Sequence, residues 1–156
     1  HKVFKMAYCI LNPNESNKLN IHRIAENEEE KNLFHTTENF IVVDLSDEDF
    51  NKIKINTHFI SGYSEENGYQ LQAQETNDLG IFNKESLQSH LNFLSSSIAN
   101  YLNNNNQESS IRSFWQTYKG VIDGFDVESL TYPTNFSWEK YCQDNGIPFK
   151  SILQLP

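Results

Sequence analysis

Apolar positions along this chain obey two spacing rules, and the change falls near residue 80. Before it, apolar residues run in short β-rich stretches or alternate with polar ones. Val3–Leu11 is such a stretch, closed by the turn signal Asn12-Pro13-Asn14, and Leu19, Ile21 and Arg23 alternate as its hairpin partner. The charged run Glu26–Lys31 reads as a solvated turn or the start of a helix. Phe40-Ile41-Val42-Val43 is a β-branched strand. It leads into Ser46, a helix N-cap followed by Asp47, Glu48 and Asp49, whose charges suit a helix start, with Phe50, Ile53 and Lys54 on one face. His58–Ile60 and Tyr69–Ala73 predict two more strands, joined across Ser61-Gly62 to the hairpin pair Asn67-Gly68, and Asn77–Gly80 ends this half.

Beyond residue 80 the period becomes helical. Leu87, Leu91, Leu94, Ile98 and Tyr101/Leu102 form one stripe, with Asn83 as its cap, and Asn103–Asn106 breaks it. A second stripe runs through Ile111, Phe114/Trp115, Tyr118 and Val121/Ile122 to Gly124. A short polar connector between two such stripes predicts an antiparallel helix pair. Ser137 caps a third, short helix through Trp138, Tyr141 and Cys142, stopped by Gly146 and Pro148, and the apolar tail Phe149–Pro156 docks on the body. The expected fold is α+β: a mostly antiparallel sheet from about residues 1–76, packed by a helical hairpin and a short third helix. Residues 1–156 are read as one domain, strand-rich over 1–80 and helical over 81–156.

Composition sharpens this picture. In 156 residues, 37% hydrophobic and 13% aromatic content supports a real core, with roughly 70% of the unfolded surface expected to be buried. The formal charge is −9; residues 1–80 carry fourteen acids against seven bases, and the rest seven against five. Phosphate binding draws on Lys and Arg, so this balance argues against a nucleic-acid partner and favours a basic partner or simple solubility. No apolar stretch approaches the ~20 residues that span a bilayer. With no signal peptide visible either, the expected location is cytoplasmic or virion-associated. Cys9 and Cys142 lie in apolar surroundings and read as buried thiols.

The search for chemistry finds little. His1, His22, His35, His58 and His90 are scattered, without a metal-ligand spacing. Asp47, Asp49 and Asn51 imitate the start of a calcium loop, but Lys52 replaces its glycine and His58 its bidentate glutamate. There is no nucleophile elbow and no glycine-rich phosphate loop, and no pair of carboxylates stands out. Neither an enzyme nor a cofactor is expected.

Aromatics crowd the C-terminal part instead. Trp115 shares a helical face with Ile111, Tyr118 and Ile122 and reads as core. Trp138, Tyr132, Phe136 and Tyr141 form the candidate interaction surface, with Trp138 expected to be partly exposed as an anchor, since Trp and Tyr dominate binding hot spots. The run Arg112-Ser-Phe-Trp-Gln-Thr-Tyr-Lys-Gly-Val-Ile-Asp-Gly-Phe-Asp126, followed by Tyr132-Pro-Thr-Asn-Phe-Ser-Trp138, resembles the tails of small tail-assembly proteins of marine and T4-like bacteriophages. There a Trp-x-x-Tyr helix precedes a Tyr-Pro-x-Asn segment and a Trp. Such proteins tend to end near a Trp-Pro, whereas here eighteen residues follow Trp138. The resemblance implies a structural or assembly role through a protein partner and carries over no functional residue. Two other readings stand beside it. One is an acidic decoy whose N-terminal carboxylates imitate phosphates before a basic partner, and the other is a small enzyme with an unrecognised site.

Overall fold

The computed structural model describes residues 6–13, 19–75 and 80–156. The start of the strand expected from Val3, the turn position Asn14 and the segment Asn77–Leu79 lie outside the described residues. The fold is α+β, as the two spacing rules predict. The chain forms two compact units: one runs to Glu75 and includes Lys150–Pro156, and the other is Thr76–Phe149. The border falls close to the change of period, but the tail belongs with the strands and not with the helical half to which the sequence assigned it.

In the first unit, β1 (Ala7–Pro13) is the central strand of an antiparallel sheet, flanked by β2 (Leu19–Ala25) and β3 (Ile41–Leu45). Both faces of β1 are covered, which explains its unbroken apolar run. Ala7, Cys9 and Leu11 face a core with Ile24, Val43, Leu45, Phe50, Ile53 and Ile60. Tyr8 and Ile10 face Ala25, Phe34 and the partly buried Phe40. His22 is an extra residue in β2, because Ile10 pairs with Arg23 and Leu11 with Ile21.

Helix α1 (Glu28–Lys31) is capped by Asn27, and α2 (Asp47–Lys54) by Ser46, whose hydroxyl accepts from the Asp49 N–H at 3.1 Å. A second, two-stranded sheet pairs β4 (His58–Ser64) with β5 (Gly68–Ala73). The strand expected to stop at Ser61-Gly62 continues to Ser64, because Ser61 is absorbed as a bulge between Ile60 and Gly62. The hairpin turns through Glu65–Asn67, with Gly68 left-handed at φ 70°, the form three-residue hairpin loops favour.

The second unit is built on α3 (Lys84–Asn104) and α4 (Ser110–Asp123). Asn83 caps α3 in a reciprocal pair with Ser86. The helix runs two residues into the asparagine stretch, where the Asn104 amide donates to Asn100 at 3.1 Å. The two helices pack together antiparallel, and Ser95 Oγ on α3 donates to Asp123 at the end of α4 at 2.6 Å. Buried Leu87, Leu91, Leu94, Ile98 and Tyr101, with Ile111, Trp115, Tyr118 and Ile122, reproduce the two stripes. A 3-10 turn at Val127–Ser129 follows, and Lys84 reaches its Glu128 at 2.6 Å. Backbone bonds between Phe82 and Thr134, at 2.7 and 2.9 Å, tie the start of this unit to the segment before α5 (Trp138–Asp144).

Candidate functional site

Ser137 caps α5 by accepting the Lys140 N–H at 3.2 Å. With that start fixed, a helical period sends Trp138 and Cys142 to one side and Ser137, Lys140, Tyr141 and Asp144 to another. Trp138 is 1% exposed, and its indole N–H donates to the buried Tyr118 hydroxyl at 2.8 Å. This corrects the expectation that Trp138 is a half-exposed anchor. A polar handle on Tyr118 of α4 gives its N–H a partner inside, which lets the whole ring be buried.

Phe136 and Tyr141 have the partial exposure that Trp138 lacks. Their ring centroids are 5.5 Å apart, and both are half-buried. Phe125 braces them, stacked on Phe136 at 5.5 Å and edge-on to Tyr141 at 5.3 Å, while Trp138 lies 5.8 Å behind Tyr141. The two rings line a surface hollow of about 430 Å³ with Asn135, Ser137, Lys140, Asp144 and Asn145. Lys140 and Asp144 stand 3.7 Å apart on its rim, and the Asn145 amide is tied to the Tyr141 carbonyl at 2.8 Å. The floor is therefore aromatic and firmly supported, and the rim offers donors and acceptors of both charges.

Tyr132, the fourth residue expected on this surface, does not line the hollow. Its hydroxyl donates to the Val127 carbonyl at 2.5 Å, and the bond from it to Pro133 is cis. Four rim residues, Asn135, Lys140, Asp144 and Asn145, were not singled out from the sequence. Counting three and four residues from the Ser137 cap would have placed Lys140, Tyr141 and Asp144 together; the contribution of Asn135 depends on how the chain enters the helix.

The first unit holds a polar cluster that the sequence reading missed. Glu30, in the run expected to be solvated, is 1% exposed. Its carboxylate accepts from Lys150 at 2.6 Å, from Gln154 at 2.9 Å and from the Glu26 backbone N–H at 3.0 Å. Arg23 Nε adds a bond to the Leu155 carbonyl at 2.8 Å. These contacts hold the tail on this unit and explain why it leaves the helical half.

Among the described residues, no three His, Cys, Asp or Glu side chains gather where a metal ion could sit, and no helix is long and apolar enough to cross a membrane. The thiols of Cys9 and Cys142 are free, and burial pushes both up to about 12. Comparison of the chain with protein-family models, with curated proteins and with solved structures finds no match.

Proposed function

We propose that this chain is a non-enzymatic interaction protein that receives a protein partner on the Phe136–Tyr141 hollow. One observation carries the reading: two half-exposed aromatic rings sit side by side on a floor made stiff by Phe125 and Trp138. Aromatic side chains already held in place lose little freedom on binding, and pockets of this kind dominate the energy of protein interfaces. An apolar or aromatic side chain of the partner fills the hollow, and backbone amides of the partner meet Asn135, Lys140 and Asp144 on the rim. The finer role, a structural or assembly protein of the kind known from phage tails, rests on the resemblance of Arg112–Asp126 and Tyr132–Trp138.

Site-directed cross-linking tests the interaction. A photoreactive phenylalanine analogue at position 141 is expected to capture a discrete partner in extract of the source cells, and Phe136→Ala to abolish the product. The same analogue at exposed Glu85 on α3 serves as control. Identical products from both positions, or products indifferent to Phe136→Ala, count against the hollow as the docking site.

A further inference from the structure

Asn67-Gly68, at the turn of the β4–β5 hairpin, is one of two Asn-Gly steps in the chain, and Asn145-Gly146, at the end of α5, is the other. Such a step is chemically labile, because glycine has no side chain to shield its nitrogen from the asparagine amide carbon. Both asparagines are exposed, yet the structure holds them differently. The Asn145 side-chain amide donates to the Tyr141 carbonyl at 2.8 Å, and its backbone N–H to the same carbonyl at 3.1 Å. The Gly146 and Ile147 N–H groups close the helix end on the Gln143 and Cys142 carbonyls, at 3.3 and 2.9 Å. At ψ 8° the Gly146 nitrogen nearly eclipses the Asn145 backbone nitrogen and so lies away from its Cβ. A ring joining that nitrogen to the side chain cannot close until the helix end unwinds. Asn67 donates its backbone N–H to Ser64 Oγ at 3.1 Å, and among the described residues its side-chain amide has no hydrogen-bond partner. It sits at the exposed tip of a two-stranded sheet, where local opening costs least.

We propose that Asn67 is a site of spontaneous covalent modification, deamidation through a cyclic imide. The Gly68 nitrogen attacks the Asn67 side-chain carbonyl carbon and gives up its proton, and the side-chain nitrogen leaves as ammonia. Water then opens the imide at either carbonyl. Breaking the newly formed bond to the Gly68 nitrogen yields aspartate. Breaking the original peptide bond yields isoaspartate, in which the main chain runs through the former side chain. Water is consumed, ammonia is released and no oxidation state changes. Either product adds a negative charge beside Glu65 and Glu66. Isoaspartate also lengthens the main chain at the tip, against the pairing of Ser64 with Gly68 and of Tyr63 with Tyr69. The hairpin therefore carries a time-dependent change of charge and register.

Incubation of the full chain in mildly alkaline buffer, followed by peptide mapping with mass spectrometry, tests this. The peptide containing Asn67 is expected to convert to the acid, with isoaspartate exceeding aspartate. The peptide containing Asn145 should convert about tenfold more slowly or less, since several hydrogen bonds must break first. In denaturant the two should convert at similar rates, and Asn67→Gln should remove the first conversion while leaving the second unchanged. No acid at position 67 in the folded protein, equal folded-state rates at 67 and 145, a rate gap that persists in denaturant, or aspartate without isoaspartate would overturn the proposal.

Discussion

The indole N–H of Trp138 and the hydroxyl of Tyr118 meet at 2.8 Å in the interior, and this bond joins α5 to α4. Trp115, one turn before Tyr118, is equally buried, yet among the described residues its Nε1 finds no hydrogen-bond partner. The two tryptophans therefore resemble each other in apolar content and differ in polar accounting.

Truncation should make that distinction measurable. Trp138→Ala and Trp115→Ala are each expected to cost about 3–5 kcal/mol in denaturant unfolding, the usual range for a core aromatic. Phenylalanine separates them. At 138 it removes a satisfied bond and strands the Tyr118 hydroxyl, whereas at 115 it removes a donor that was already unmatched. Trp138→Phe should be the more destabilising by about 1 kcal/mol or more. Equal losses would show that the Trp138–Tyr118 bond contributes nothing net.

The tail offers a second test. Lys150 is 11% exposed at its side chain and stands 2.6 Å from Glu30 and 3.2 Å from Glu26. Lys150→Met leaves the Glu30 carboxylate buried without its cation, a change expected to cost about 3–5 kcal/mol. Adding Glu30→Gln should recover part of that loss, since the uncompensated charge then disappears. A double variant no more stable than Lys150→Met would place the cost in the lysine's packing instead.

Two helices end in the same backbone motif with different residues. After α2, Asn56 is left-handed at φ 62°, and the Thr57 N–H reaches the Lys52 carbonyl at 3.0 Å. After α5, Gly146 has φ 65°, and the Ile147 N–H reaches the Cys142 carbonyl at 2.9 Å. Both are Schellman endings, where glycine is favoured because it has no Cβ. Gly146→Ala should lower stability by roughly 1 kcal/mol, and Asn56→Gly should be neutral or mildly stabilising. Thermal melts of the two variants moving in the same direction would contradict this account.

Local chemistry made most of these elements legible in the sequence. The Asn83, Ser46 and Ser137 caps and the stripe from Leu87 to Ile98 need only neighbours within a turn or two, and the structure places them as expected. Features misread from sequence depend on distant partners. Glu30 sits in an acidic run that looks solvated, and its carboxylate is satisfied in the interior by Lys150 and Gln154, which arrive 120 and 124 residues later. Trp138 looked exposed because its partner lies on another helix. Of the candidate site, Phe136 and Tyr141 were legible as aromatics on either side of the Ser137 cap, and the polar rim was not, since it depends on how the chain enters α5.

Both cysteines are fully buried, and burial is the leading reason their thiols hold the proton up to about 12; the nearby Glu139 adds to this at Cys142. In mildly alkaline buffer the native protein should therefore react very slowly with a thiol reagent, and two thiols per chain should appear on adding denaturant, because the thiolate is the attacking species. The same shift links stability to pH. The thiols ionise near 9.0 once unfolded but hold their protons higher when folded, so the unfolded state releases protons first as pH rises. Their contribution is complete below about 9 and is lost progressively towards 12. A Cys9→Ala/Cys142→Ala variant should accordingly show a shallower loss of thermal midpoint across that alkaline interval than the wild type, whatever its stability at neutral pH. Rapid labelling of either thiol in the native protein, or parallel alkaline profiles for the two proteins, would mean that the thiols are reached by local opening and do not titrate as buried groups.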